Sequence, residues 1–325
     1  MRALYVPAAG EQPELSDLPV PEAGDGQVLV QVKAAGLNAI DNGLASGMMA
    51  GMIPHEYPLV LGRDAAGVVA AVGAGVDHVS VGDEVFGHVL LTPPVKNGTL
   101  AEYAVLPAAA VAAKPAGLDF VTAAALPLAA AAAAATVDAV GAASGDTVLV
   151  VGASGGVGSY AVQLLAARGA TVVATGASGD TRRLADLGAA TVIDYTAGPV
   201  ADQVLAAYPD GVDALIDLVS YSTDTSRPEA QANSTLPLNA VRKGGKVAST
   251  LGAADDDALA AAGLTGSNIM AGPVREVIAP LAEQASAGAL KVDVTTVLPL
   301  DQAAEGLATI AAGQARGKIV VKISD

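Results

Sequence analysis

The stretch TVLVVGASGGVGSYAVQLL, residues 147–165, restricts the architecture more than any other part of the chain. The apolar run Thr147-Val148-Leu149-Val150-Val151 stops at Gly152. Six residues later the spacing becomes that of a helix, over 158–168. An unbroken apolar strand followed by a tight turn and a helix is the first half of a strand–helix–strand unit. Such strands are buried on both faces of a parallel sheet.

Similar alternation continues downstream. Apolar runs at 171–175, 191–194, 213–219 and 246–251 are separated by helical stretches such as 181–187, which predicts a doubly wound parallel sheet. The first part of the chain reads differently. Short strands at 27–32, 66–72 and about 82–87, punctuated by glycine and proline, predict a small barrel or sandwich. Near the C-terminus, helices over 275–287 and 301–312 precede a strand at 317–323 that has the character of the first region. The expected division is 1–120, 121–272 and 273–325, the last returning to the first. No internal repeat interrupts it.

The glycine turn has its own chemistry. Gly152, Gly155 and Gly158 are spaced GxxGxxG. Small residues let backbone approach a pyrophosphate, and the following helix start offers free N–H groups and a partial positive charge. A glycine turn alone can be only a tight turn; between a strand and a helix of this repeat it predicts a dinucleotide cradle of Gly152, Ser154, Gly155, Gly156 and Val157. At the next strand end, Thr175 is followed by Gly176, Ala177, Ser178, Gly179, Asp180, Thr181, Arg182 and Arg183. No acid stands at the immediate tip to accept from a ribose 2′-OH. Ser178 with Arg182 or Arg183 suits a 2′-phosphate, so NADPH is the expected cofactor. The arginines also fit a solvated first helical turn. Asp180 either opposes the phosphate or caps the helix near Thr181.

Composition limits the partners. Asp and Glu number 33 against 17 Lys and Arg, a net charge of −16, which argues against nucleic acid or anionic lipid. With no cysteine there is no disulfide, thiol nucleophile or thiolate metal site. The start of the chain lacks a signal-like apolar segment, and the tract from Leu126 to Ala135 is too short to cross a bilayer. A cytoplasmic protein acting on a small-molecule substrate is expected, with no membrane and no nucleic acid.

Several ordered segments carry a resemblance. They are GLNAIDNGLASG at 36–47, YPLVLGRDAAGVVAAVGAGVDHVSVGDEVFG at 57–87, GTLAEYAVLP at 98–107, KPAGLDFVTAAALPLA at 114–129, the glycine-turn segment and GKIVVKI at 317–323. Together they resemble the medium-chain dehydrogenase/reductase superfamily, in its zinc-free quinone oxidoreductase branch, over nearly the whole chain. The resemblance implies an α/β fold with a GroES-like β-barrel catalytic domain, completed by the C-terminal strand, and a Rossmann domain. It implies an active site in the cleft between them, and commonly a homodimer or tetramer. Where zinc-dependent relatives carry Gly-His-Glu, this chain has Gly62-Arg63-Asp64. His55, His78 and His88 have no metal-ligand spacing and read as loop or surface histidines.

Asn38 and Asp41 match the family's N-x-x-D segment lining the cleft. Asn38 is expected to orient a carbonyl or the nicotinamide ribose; Asp41 is functional or caps the next helix. Tyr195 matches a residue flanking the adenosine. Leu251, and Met270 with Val274, match positions near the nicotinamide; core packing explains each equally. Two departures stand out. Met48 or Met49 replaces a tyrosine that is a candidate proton donor, and Ala130-Ala131-Ala132 replaces a Gly-Leu-Thr segment. The alanines imply a widened pocket or a tightly packed helix. Asp255-Asp256-Asp257 reads as a solvated loop, and Tyr221 to Asn233 as part of a lid or an oligomer contact.

Without a zinc Lewis acid, quinones and activated enones are the more accessible acceptors, because conjugation spreads the developing charge. The expected function is therefore an NADPH-dependent oxidoreductase that transfers hydride to a quinone or α,β-unsaturated carbonyl. Two alternatives remain at this level. One is a discrete enoyl-thioester reductase of fatty acid or polyketide synthesis, which wants a basic rim this acidic chain lacks. The other is a family member that binds nucleotide without net redox, as a biosynthetic cyclase, a regulatory protein or, more weakly, a structural protein.

Overall fold

The computed structural model describes residues 1–220 and 236–324. The expectation for Tyr221 to Asn233 lies outside the described residues. The chain divides into two compact units: Met1–Ala131 with Gly272–Asp325, and Ala132–Ala271. The helix Pro127–Val140 carries the division.

The second unit is a six-stranded, wholly parallel sheet among the described residues. Across it lie Thr191–Asp194, Thr171–Gly176, Thr147–Val151, Val212–Asp217, Val241–Ser249 and Thr265–Asn268. In chain order these are the third, second, first, fourth, fifth and sixth strands of the unit, the Rossmann order. Its central strand, Thr147–Val151, buries Val148, Leu149 and Val150 completely, as a strand covered on both faces must. The following helix, Gly156–Ala167, turns Tyr160, Ala161, Val162 and Leu165 into the core at zero exposure. The last strand, Thr265–Asn268, has no apolar run and all four residues are exposed. That is why periodicity gave no sign of it: an edge strand needs only one neighbour's hydrogen bonds.

The first unit is a β assembly of the barrel type expected from the resemblance. Its larger sheet runs Val294–Pro299, Lys318–Lys322, Gln27–Gly36, Asp64–Val72, Glu84–His88 and Val111–Ala113, with Tyr103–Pro107 also paired to Gln27–Gly36. Gln27–Gly36 alternates as its sequence does: Val28, Val30 and Val32 are buried, while Gln27, Leu29, Gln31 and Lys33 are half-buried. The C-terminal strand lies antiparallel beside it, with Val320 opposite Gly36 and Lys322 opposite Ala34. Its Ile319 and Val321 enter the same core cluster as Val30, Val32, Leu61 and Leu106.

Among the described residues, no helix is long and apolar enough to cross a membrane. The alanines from Ala129 to Ala133 lie buried along the helix Pro127–Val140, so the tract is a packed helix of small residues. Asp255 is not a loop residue: it caps the helix Asp256–Ala262 by accepting from Ala258 N at 2.9 Å, and Asp256 and Asp257 fill the first turn.

Candidate functional site

Two residue groups, one in each unit, have chemistry that the fold alone does not require. The first is the glycine turn. Gly152 stands at φ +85°, a backbone state that favours glycine, and its N–H donates to Thr175 Oγ1 at 3.0 Å. A Cβ on Gly158 would sit 2.3 Å from Gly152 O and 2.5 Å from Ala153 Cα, so only glycine lets the helix start this close to the strand. The helix begins at Gly156 after Gly155, and no side chain caps it. Its first-turn N–H groups are thus left for a ligand. This is the donor set a pyrophosphate needs, so the residues fit a dinucleotide.

At the end of the neighbouring strand, Arg183 donates to Ser154 O at 2.6 Å and lies 3.6 Å from Asp180. It ties the strand tip to the glycine turn. Arg182 and Ser178 are exposed. Asp180 stands at the N-cap of the helix Thr181–Asp186 without a side-chain cap hydrogen bond; its Oδ2 accepts from Ala177 N at 3.1 Å inside the 3-10 turn Ser178–Asp180. Its charge is therefore directed at Ala177 and Arg183. Tyr195 is 47% exposed and joins the same end of the sheet through its N–H to Gly176 O at 3.3 Å. Leu251 is half-buried, its N–H donating to Ser249 Oγ at 3.3 Å. Met270 is 95% exposed, which removes core packing as its explanation. Asp217, at the end of Val212–Asp217, is fully buried; burial pushes its carboxyl up to about 6, against hydrogen bonds from Ser220 and Val219.

The second group is a buried polar cluster in the first unit, built on Asn38 and Asp41. Asn38 ends the turn from Gln27–Gly36 into the helix Ala39–Ala45. Its N–H donates to Asp41 Oδ2 at 2.8 Å, so Asp41 has the structural role of a first-turn carboxylate reaching back. The Asn38 amide is held from both ends. Its Oδ1 accepts from Lys318 Nζ at 2.7 Å, and its Nδ2 donates to Asp64 Oδ2 at 2.8 Å. Lys318 also donates to Leu37 O at 2.8 Å. Asp64 further accepts from His88 Nδ1 at 2.7 Å and from Leu128 N at 3.2 Å. His88 is thus no surface or loop residue: it is 4% exposed, at the end of Glu84–His88, opposite Asp64 in the sheet. His55 and His78 do lie outside the strands, half-buried, and His78 Nε2 approaches Val111 O at 3.2 Å.

Arg63 is 1% exposed. Its Nη2 reaches Val60 O only at 3.5 Å, and its Nε has no partner. Burial lowers the guanidinium pKa to about 10, opposed by the charges of Asp41 and Asp64. Burial likewise raises Asp41 to about 7, against Arg63 and the Asn38 hydrogen bond, and lowers Lys318, against Asp64 and Asp41. Sequence reasoning reached Asn38 and Asp41 but missed Arg63, Asp64, His88 and Lys318 as one cluster. The available signal was charge inside apolar context: Arg63-Asp64 between Leu59-Val60-Leu61 and Ala65-Ala66, and Lys318 before Ile319-Val320-Val321. Among the described residues, no group of three or more His, Cys, Asp and Glu could hold a metal ion.

A nucleotide-cradling parallel sheet and a β unit with a buried polar cluster define a two-unit dehydrogenase-type fold. Comparison supports the class. Residues 24–116 match the alcohol dehydrogenase GroES-like domain, and residues 187–321 match the zinc-binding dehydrogenase domain. The mitochondrial NAD(P)H oxidoreductase RTN4IP1 of Homo sapiens is 37% identical over 62% of this chain, a match spanning about half (54%) of that protein. The 2-methylene-furan-3-one reductase of Solanum lycopersicum is 32% identical over 94% of this chain and 74% of its own length. The solved quinone oxidoreductase of Coxiella burnetii superposes with a TM-score of 0.83, at 26% identity, over 99% of this chain and 98% of that one. The chain belongs to the medium-chain dehydrogenase/reductase family.

Proposed function

We propose that this protein is an NAD(P)H-dependent oxidoreductase, NADPH-preferring, that reduces a quinone or an α,β-unsaturated carbonyl without zinc. The observation that carries the reading is the glycine turn, with Gly152 at positive φ, Gly158 packed on backbone and an uncapped helix start. Nicotinamide, when bound, supplies the hydride. The chain's own part is to hold the pyrophosphate on the first-turn N–H groups of Gly156–Ala167. Exposed Arg182 and Ser178 are placed to take a 2′-phosphate, while Arg183 holds the turn together. This divides the labour of the two arginines, which sequence left open. Tyr195, Leu251 and Met270 extend the proposed cofactor surface, and Asn38 is the proposed substrate-side residue, its backbone N–H held by Asp41.

The names of the relatives support the reaction class, since they cover an NAD(P)H oxidoreductase, a 2-methylene-furan-3-one reductase and a quinone oxidoreductase. The absence of cysteine, and Gly62-Arg63-Asp64 in place of Gly-His-Glu, support zinc-independent chemistry. A homodimer is part of the proposal; the exposed edge strand Thr265–Asn268 offers it a surface. The test is loss of reduced-nicotinamide absorbance with a benzoquinone, a naphthoquinone and simple enones, NADPH and NADH in parallel. Turnover favouring NADPH is the expected result. Tight NADPH binding with no turnover on any of these acceptors overturns the quinone and enone reading and leaves a dedicated biosynthetic substrate, such as an enoyl thioester, or a non-redox role.

A further inference from the structure

Arg63 is a charge buried to 1% exposure with few hydrogen bonds. A guanidinium carries five N–H donors. Among the described residues, the one hydrogen bond it makes is the 3.5 Å approach of Nη2 to Val60 O, and its Nε donor has none. The two nearby carboxylates do not fill the gap. Asp64 turns its oxygens to His88, Asn38 and Leu128, and Asp41 turns Oδ2 to Asn38. Neither forms a salt bridge with Arg63 within 4.0 Å, although both charges act on it.

The surroundings repeat the pattern. Asp41 Oδ1 and Thr99 Oγ1 are also buried without a partner. Thr99 lies against the residue preceding Arg63, since a Cβ on Gly62 would come within 2.6 Å of Thr99 Oγ1. Buried polar atoms are almost always paired, and a buried cation without hydrogen bonds is costly. Unmet donors of this kind are retained where an oxygen bearing negative charge is to be held, because a preorganised cation in a water-poor site favours that charge strongly.

We infer that Arg63 supplies the electrophile of the reaction, its unmet guanidinium N–H groups holding the acceptor's carbonyl oxygen as that oxygen becomes an oxyanion. The inference rests on the proposed reductase reading. With an enone, the β-carbon gains a hydride from the reduced nicotinamide, which is oxidised. The C=C pair shifts to form the enolate, and the carbonyl π pair moves onto oxygen. Arg63 donates to that oxygen, and the α-carbon then takes a proton from water. Asn38, Asp64 and Lys318 are positioning residues. Asn38 holds Asp41 Oδ2 through its backbone N–H and Asp64 Oδ2 through its amide, and Lys318 holds Asn38 Oδ1 and Leu37 O.

The test uses the full chain carrying Arg63→Met, Arg63→Lys or Arg63→Gly. Expected for Arg63→Met is a fall in kcat with cyclohexenone of about 100- to 1000-fold. Its NADPH Kd stays within about two-fold, and its melting temperature is unchanged or higher, because an apolar side chain relieves the buried charge. Arg63→Lys keeps the charge, loses the planar fork and falls between the two. Free guanidinium ion added to Arg63→Gly restores part of the lost rate, which a purely structural residue would not allow. A second readout is independent of turnover: wild-type protein binds p-nitrophenol as the phenolate, seen as its yellow absorbance at a pH where the free phenol is protonated, and Arg63→Met does not. If wild type reduces no acceptor but shows the phenolate signal, the reductase reading fails while the oxyanion site stands. If Arg63→Met keeps wild-type kcat, or wild type shows no phenolate signal, Arg63 holds internal water only and the inference is overturned.

Discussion

Lys318 Nζ donates to Asn38 Oδ1 at 2.7 Å, joining two residues 280 positions apart inside the core of the first unit. Both are buried, at 3% and 9% exposure. The bond pins the C-terminal strand Lys318–Lys322 to the turn that opens the helix Ala39–Ala45, and it sets which way the Asn38 amide faces. Lys318→Met would leave Asn38 Oδ1 and Leu37 O without their donor. The expected loss is about 1–3 kcal/mol for each buried acceptor left unsatisfied, less whatever the apolar replacement recovers. Urea unfolding of the variant beside wild type measures it; an unchanged midpoint would show the tie to be dispensable.

Asp41 makes stability depend on pH in a definite direction. Its carboxyl is raised from 3.8 to about 7 by burial. Between those values the folded protein keeps a proton that the unfolded chain has released. This group's contribution is therefore complete below the ordinary carboxylate range and declines as pH rises toward 7, by up to about 1.4 kcal/mol per pH unit. Asp217, raised to about 6, acts in the same sense over a narrower window. Asp41→Asn keeps an oxygen for the Asn38 N–H and cannot ionise. Urea midpoints measured from pH 4.5 to 8 should fall less steeply for Asp41→Asn than for wild type; parallel curves would contradict the shift.

The glycine turn separates folding from binding. A Cβ on Gly158 would meet backbone atoms at 2.3 and 2.5 Å, so Gly158→Ala should lower stability by on the order of 2 kcal/mol or more and abolish nucleotide binding with it. A Cβ on Gly155 would meet only Gly152 O, at 3.4 Å. Gly155→Ala should fold with a melting temperature close to wild type and yet weaken NADPH by at least about ten-fold, by crowding the pyrophosphate. Thermal melts with nucleotide fluorescence titrations check both; tight binding by Gly155→Ala would place the pyrophosphate elsewhere.

The two arginines after Asp180 should behave differently. Arg182 is exposed, and Arg182→Ala is expected to weaken NADPH about ten- to hundred-fold while sparing NADH and stability. Arg183 holds Ser154 O, and Arg183→Ala should weaken both nucleotides and lower the melting temperature. Parallel NADPH and NADH titrations of the two variants decide it. Equal loss of both nucleotides in Arg182→Ala would remove its assignment to the 2′-phosphate.

Much of this was legible in local pattern. Thr147–Val151 and Thr171–Gly176 announced themselves because strands covered on both faces are apolar over most of their length, and the edge strand Thr191–Asp194 was legible through Val192-Ile193 in the same alternation with helices. The glycine turn was legible because backbone approach imposes a residue type, not a contact. Helix ends held to within two residues, at Gly156–Ala167 and Arg275–Ser286. Two other edge strands were not legible. Thr265–Asn268 is fully exposed, and Val294–Pro299 is largely so; neither carries an inward-facing apolar row.

The sequence by itself determined the strand–helix alternation, the dinucleotide turn and the family segments, since each depends on neighbours within a few residues. Only the tertiary structure decided that Asn38, Asp41, Arg63, Asp64, His88 and Lys318 form one buried cluster, and that His88 is inside it. Those residues come from separate strands and a helix cap, brought together by sheet pairing of Gly36 with Asp64 and Val320, and of Asp64 with His88. What a charge costs when buried, and which partner meets it, is set by that pairing; no spacing along the chain encodes it.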